Sequence, residues 1–403
     1  MPVSQRRRLG AWYTPPALVA AIVAAMDLGG LDGKRVRVLD PACGDGRFLV
    51  AAAGALGGRA EVHGIDIDPA AGGFDGSFVC ADALALDWAP ASFDVVVGNP
   101  PFLNQLAAAT SRGGTSRWGG GPYADAAAEF LALAVHVVRP GGLIGLVLPQ
   151  SLLAARDAAA IRAAVDRRAA LRWCWWSDRP VFDAAVATWA GVWEVGGPPG
   201  PVRRVHGPEY EARPSVEPVA GSTWSWSIAD VPVPAVDPRA ARLGSIASFT
   251  VDFRDVYYGL IDAVGDDVDG PPLVTTGLID PGRNRWGERP VRFAKRRWNA
   301  PRVDLGRLSP AMRRWADRRL VPKVLIANQA KVIEAVHDPD GAWLPGVPVL
   351  TCTTEEPERV LGVLGSPAAT EWVRHHAAGS GMGPSTVRLT PALLASIPLD
   401  PRP

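Results

Sequence analysis

Arg35-Val36-Arg37-Val38-Leu39-Asp40-Pro41-Ala42-Cys43-Gly44-Asp45-Gly46-Arg47 decides the fold. Arg35–Asp40 reads as a short apolar strand. Its last residue is an acid, and a glycine-rich turn follows at once. Arg47 to Leu56 then reads as an alanine-rich helix. A strand that runs through such a turn into a helix is the opening unit of an open α/β sheet, where glycines let backbone approach a ligand closely. The turn is not GxGxxG, so a dinucleotide is not the first expectation. An acid at the strand end suits a ligand with a cationic amino group and no phosphate. A plain tight turn is the bland alternative.

The same alternation continues outward. Glu61 to Asp66, Phe78 to Asp82 and Phe93 to Gly98 read as strands. Ala124 to Val138 reads as a helix stopped by Arg139-Pro140-Gly141-Gly142, Leu143 to Leu148 as a buried strand, Ala154 to Arg168 as a helix and Ala187 to Val195 as a last strand. The fold class is α/β, a doubly wound, mostly parallel sheet covered on both faces. Gly196-Gly197-Pro198-Pro199-Gly200-Pro201 interrupts the pattern, and periodicity is lost to about Pro238. The expected division is therefore a domain over 1–195, a Pro/Gly-rich linker over 196–240 and a mixed α+β domain over 241–403. In the latter, Lys323 to Ala327 and Val332 to Val336 read as strands, and Glu358 to Leu364 and Ala369 to His376 as helices.

Three successive strands end in acids. Gly64-Ile65-Asp66-Ile67-Asp68-Pro69 places Asp66 26 residues after Asp40. An acid there can accept both hydrogen bonds of a ribose diol. Cys80-Ala81-Asp82-Ala83 places Asp82 to accept from an adenine amino group. Each acid alone reads as a loop residue or helix cap. Together they line the carboxyl edge, where open α/β sheets bind ligands.

The fourth strand runs into Asn99-Pro100-Pro101-Phe102, the most specific motif of the chain. An adenine amino nitrogen is a poor nucleophile, because its lone pair is delocalised into the ring. Two acceptors on its hydrogens pull it towards tetrahedral geometry and aim the lone pair at a sulfonium methyl. The Asn99 side-chain oxygen and the Pro100 carbonyl are those acceptors, and Pro101 offers no competing N–H. Phe102 supplies a face for an extruded base. Catalysis is then positioning and electrostatics.

Charge is uneven. From Arg283 to Lys331, 15 Lys or Arg stand against Glu288, Asp304 and Asp317, a net +12 in a chain of total +1, so the remainder carries −11. Such a block suits a polyanionic partner, with a solvated basic surface as the bland alternative. Trp286, Phe293, Trp298 and Trp315 are interleaved with it. The four cysteines form no CxxC pair and the six histidines no HExxH, which argues against a disulfide framework and a metal and suits a reducing cytoplasm. Arg6-Arg7-Arg8 before the apolar run Ala17 to Met26 imitates a signal peptide, but Trp12-Tyr13-Thr14-Pro15-Pro16 breaks the pattern. No stretch approaches the ~20 apolar residues of a membrane span.

These residues resemble the gamma-class N6-adenine DNA methyltransferases, the type II modification methylases. The resemblance covers most of the chain. It implies a Rossmann-like methyltransferase domain followed by a target recognition domain. It implies that S-adenosyl-L-methionine is held by Tyr13, Thr14, Asp40, Ala42, Gly44, Gly46, Asp66, Ile67, Asp82, Ala83 and Asn99. Asn99, Pro100, Pro101 and Phe102 match the family's catalytic motif. Val181-Phe182-Asp183 is similar to the motif that supplies a second aromatic, Phe182, to the flipped base; a core phenylalanine is the alternative. Phe102 stands where the motif also allows Tyr, and Asp45 sits where the loop often has a small residue. The C-terminal half is more loosely similar to a recognition domain, with Arg283, Arg285, Lys295, Arg296, Arg297, Lys323 and Lys331 as contacts to double-stranded DNA.

The implied activity is site-specific methylation of adenine N6 in a restriction-modification or phage-defence setting. The enzyme is expected as a monomer, with any cognate restriction endonuclease a separate protein. Two rivals share the motif. Glutamine N5-methyltransferases acting on protein usually carry a helical domain ahead of the glycine loop, where only 39 residues precede Asp40 here. RNA base methyltransferases would also carry basic surface. A non-catalytic DNA-binding protein is the third alternative, against which the full set of Asp40, Asp66, Asp82 and Asn99 argues.

Overall fold

A computed structural model describes residues 13–102, 116–179, 181–182, 187–219, 223–231, 239–381 and 386–400. The chain divides into two compact units, Met1–Ile228 and Ala229–Pro403. No helix among the described residues is long and apolar enough to cross a membrane.

The first unit is built on nine strands: β1 (Val36–Asp40), β2 (Ala60–Asp66), β3 (Ser77–Cys80), β4 (Phe93–Gly98), β5 (Val138–Pro149), β6 (Ala169–Trp176), β7 (Thr188–Val195), β8 (Val202–His206) and β9 (Glu211–Val216). Their order is β3-β2-β1-β4-β5-β7-β6-β8-β9. The first five pair in parallel, and β7 runs antiparallel to both β5 and β6. Strand order reverses between β1 and β4, so the ends of these two strands form the topological switch point.

Helices α1 (Pro16–Met26) and α2 (Arg47–Leu56) bury Leu18, Ile22, Phe48 and Leu49 against Val36, Val38, Val62, Val95, Val97 and Val147. Leu39, Val96, Ile144 and Leu146 alternate with those positions and are fully buried on the opposite face. There α3 (Ala126–Val137) packs on β5 and α4 (Ala159–Asp166) on β6. The doubly wound, mostly parallel architecture is as the sequence implies.

Two expectations need correction. The strand β6 was not anticipated, because Ala169–Trp176 is apolar except for Arg172 and lacks the alternation of a half-buried strand. The segment expected as a linker over 196–240 carries β8 and β9, so the sheet continues past residue 195. Its edge strand β9 tolerates Pro214, whose missing N–H is harmless at a sheet margin. Beyond it, Trp224 is buried and donates from Nε1 to Asp166 at 2.9 Å. Its ring lies 5.9 Å from Trp193 and 6.2 Å from Trp189. That cluster ties the proline-rich segment to the first unit and moves the boundary to Ile228.

The second unit contains a four-stranded antiparallel sheet of Ala247–Val251, Leu350–Thr354, Lys323–Ile326 and Ala335–Asp338, in that spatial order. One face packs Val324, Ile326, Leu350 and Cys352 against Val360, Trp372, Val373 and Leu394 of the C-terminal helices. The other packs Leu325 and Val336 against Leu278, Ile279 and Val291. The expected mixed α+β character is present. The second expected strand lies at Ala335–Asp338, three residues later than read at its start.

Candidate active site

Asp40 ends β1 with 1% exposure. Its Oδ1 accepts the Ala42 N–H at 3.1 Å, and no cationic side chain lies in ion-pair range among the described residues. Burial pushes its pKa up to about 8; the Ala42 N–H opposes, and the charges of Asp66 and Asp45 add to the rise. β4 ends beside it. A Cβ on Gly98, whose φ is +154°, would stand 2.5 Å from Asp40 Oδ1. Only glycine lets the chain entering Asn99 pass so close to the acid.

The glycine turn is stitched to β2. Cys43 N–H donates to Ile65 O at 2.9 Å and Gly44 N–H to Asp66 Oδ2 at 2.8 Å. The other Asp66 oxygen accepts the Asp68 N–H at 2.9 Å. Ile67 is 54% exposed beside it, an apolar side chain presented to solvent at the strand end. Asp82 accepts the Leu84 N–H at 3.0 Å and is exposed, and Ala83 is buried next to it. The three acids, Gly44 and Ala42 thus lie along one edge.

Arg47 was missed in the sequence and joins two motifs. Its guanidinium bonds the Thr14 carbonyl and Asp45, and lies 5.0 Å from the Tyr13 ring centroid. This brings Tyr13 and buried Thr14 to the glycine turn, while Trp12 of that motif lies outside the described residues. The signal was present: a cation in the first turn of a helix opposes the dipole unless it has a partner. Phe74 was also missed. Cβ atoms on Gly46 and Gly64 would meet its ring at 2.5 and 2.4 Å, so it closes one wall of the turn. Glu129 on α3 is buried; burial raises its pKa, a bond to Ser116 lowers it and the Asp82 charge adds to the rise.

Asn99 is half-buried, Pro100 buried, and Pro101 and Phe102 half-buried. The Phe102 and Phe182 rings meet edge to face at 6.2 Å and 78°. The two aromatics expected at the base site are therefore together. Phe182 sits in the core cluster, so in this arrangement it backs Phe102 and offers no free face. Asp183 lies outside the described residues.

The basic block is sorted by its partners. Arg283 and Arg285 bond Glu288, and Arg285 and Arg289 bond Asp280. Lys295, Arg296, Arg297 and Lys331 are exposed, with no ion pair among the described residues. Lys323 is a correction: its side chain is 0% exposed and salt-bridged to Asp338, so it faces no DNA. It lies in a central strand whose residues are all buried. Asp338 also accepts the N–H groups of Ala342 and Trp343. The aromatics are corrected likewise. Trp315 and Phe293 are buried, while Trp286 and Trp298 donate to the carbonyls of Pro301 and Phe293. They form core.

Lys323→Met should therefore destabilise the second unit by about 3–5 kcal/mol, since it strands a buried carboxylate. Urea unfolding checks this; a DNA-binding loss with an unchanged midpoint would refute the buried-pair role.

The first unit is thus an open, mostly parallel α/β sheet with three strand-end acids and Asn-Pro-Pro-Phe at its switch point. Residues 3–170 match the sequence model described as N-6 DNA Methylase. That match lies within the first unit. It is 31% identical over 188 residues to a Type II methyltransferase of Thermus thermophilus, covering 41% of this chain and 40% of that protein. The chain thus spans less than half of that relative's length. The solved Type IIL restriction-modification enzyme MmeI in complex with DNA is similar over 98% of this chain and 69% of its own, with a TM-score of 0.61 and 14% identity. A modification subunit of a putative type I restriction enzyme from Vibrio vulnificus covers 49% of this chain and 47% of its own, at 21% identity and a TM-score of 0.40.

Proposed function

We propose that this chain is a gamma-class, S-adenosylmethionine-dependent methyltransferase of DNA adenine N6, working on a base turned out of the duplex. The observation that carries the reading is the approach of Gly98 to Asp40, which sets Asn99-Pro100-Pro101-Phe102 beside the acid edge. Asp40, Ala42, Gly44 and Gly46 would hold the methionine end, with Tyr13 and Thr14. Asp66 with Ile67, and Asp82 with Ala83, would hold the nucleoside end. Asp40 fits a cationic amino group: it is buried, charged at a cost and without a cationic partner among the described residues. When bound, the cofactor supplies an electrophilic methyl on sulfur.

The chain's own residues hold the acceptor. Asn99 Oδ1 and the Pro100 carbonyl accept the two amino hydrogens and keep the lone pair directed. Phe102 stacks on the base and Phe182 supports it. Removal of water by these rings strengthens both hydrogen bonds. A restriction-modification or phage-defence setting, a separate cognate endonuclease and a monomeric state belong to the same reading.

Methyl transfer from labelled cofactor to unmethylated genomic DNA, total RNA and a protein lysate tests it, with the product identified by mass. N6-methyladenine in DNA alone is expected. Label in RNA bases or in glutamine would overturn the substrate. Neutralising Arg296 and Arg297 should weaken duplex binding at least tenfold and flatten the slope of log K against log salt by about 0.9 for each phosphate no longer neutralised. An unchanged slope would remove these two from the interface.

A further inference from the structure

The second unit holds a cavity of about 580 Å³, lined on one side by Thr275, Thr276 and Gly277 and on the other by the arm from Pro290 to Lys295. That volume lies within the ~300–1,000 Å³ of ordinary ligand sites. The lining is mixed. Tyr257 and Phe293 form an aromatic corner, with ring centroids 5.1 Å apart.

Two cations stand at the rim. Arg292 and Lys295 are exposed and make no ion pair among the described residues, unlike Arg283, Arg285 and Arg289 just before them. Val291–Phe293 and Arg296–Trp298 form a hairpin in which Arg292 lies directly opposite Arg297. Like charges in that position repel. The turn between the arms holds Ala294 and Lys295 at φ +51° and +64°, a left-handed pair that costs about 1–2 kcal/mol for each non-glycine residue. The hairpin thus puts exposed, like-charged cations beside the cavity, and an anion there relieves their repulsion.

We propose that this cavity is a nucleotide subsite for one unit of a DNA strand. Its phosphate lies on Arg292 and Lys295, and its base or sugar lies against Tyr257. The inference rests on the DNA-binding reading above and adds a binding site outside the methyl-transfer site.

Gly277 gives a test that changes no charge. It lines the cavity and is exposed, and a Cβ there meets nothing within 4 Å. The full chain is compared as wild type, Gly277→Trp and Arg292→Ala/Lys295→Ala, in titrations of a fluorescent duplex across salt concentrations. Thermal midpoint and cofactor affinity are followed in parallel, and free dAMP is the second probe. Both variants are expected to lose DNA affinity about tenfold, with the midpoint and cofactor affinity held. The charge variant should also flatten the salt slope by the equivalent of about one phosphate. Unchanged DNA affinity in Gly277→Trp overturns the subsite and leaves the methyltransferase reading intact. Binding of dAMP that both variants abolish, with DNA affinity unchanged, assigns the cavity to a free nucleotide and overturns the strand. A wild-type chain that transfers methyl to RNA or protein and binds no DNA overturns both.

Discussion

Asn99→Ala is expected to slow methyl transfer by at least ~10²–10³-fold while cofactor affinity moves less than about threefold. A positioned hydrogen-bonding group aimed at developing charge is worth that much in other enzymes. The amine has little nucleophilicity of its own. Losing one of two acceptors lets it stay planar and lets the base tilt within the pocket. The cofactor, by contrast, keeps Asp40, Asp66 and Asp82. Single-turnover transfer, read beside an equilibrium cofactor titration, separates the two quantities. Asn99→Asp keeps an acceptor oxygen and should recover part of the rate. Equal losses of transfer and cofactor binding in Asn99→Ala would move the residue from the acceptor to the cofactor. A rate within tenfold of wild type would end its catalytic assignment.

What was legible in the sequence was whatever a strict spacing enforces. The turn after Asp40 must be small where Phe74 crowds Gly46, and it passes through φ +52° at Gly44, so its glycines stand out in the chain. Asn99-Pro100-Pro101-Phe102 is legible because two prolines in succession restrict a loop to few conformations. The partners of these residues were not legible. Nothing near Arg47 in the chain announces that it reaches back to Thr14, 33 positions earlier. Phe74 looks like any loop aromatic until two glycines are seen under it. The strands β6 and β8 were lost for opposite reasons: one is apolar but for Arg172 and shows no alternation, and the other sits among prolines. Charge misled in a similar way. Lys323 adds to the basic count whether it faces solvent or Asp338, and only the central position of its strand decides.

Asp40→Asn should separate a cost of folding from a gain in binding. Burial, then the nearby charges of Asp66 and Asp45, raises this acid from 3.8 to about 8 against the pull of the Ala42 N–H. The folded state therefore holds the proton more tightly than the unfolded chain does. Its contribution to stability is complete below about 3.8 and is lost as pH rises through about 8. Asparagine carries no charge to bury. The cofactor-free variant should match the wild type near pH 4 and exceed its thermal midpoint at pH 8, by about 2–4 °C for each kcal/mol recovered. Cofactor affinity should move the other way. A cationic amino group meets a carboxylate in the wild type, so affinity should climb with pH towards about 8, with a proton released on binding. In Asp40→Asn it should be weak and flat over the same range. Calorimetry in two buffers of different ionisation enthalpy reads the proton directly. A variant that is less stable at pH 8 would make Asp40 a structural acid. One that binds cofactor as the wild type does would take the methionine end of the ligand away from β1.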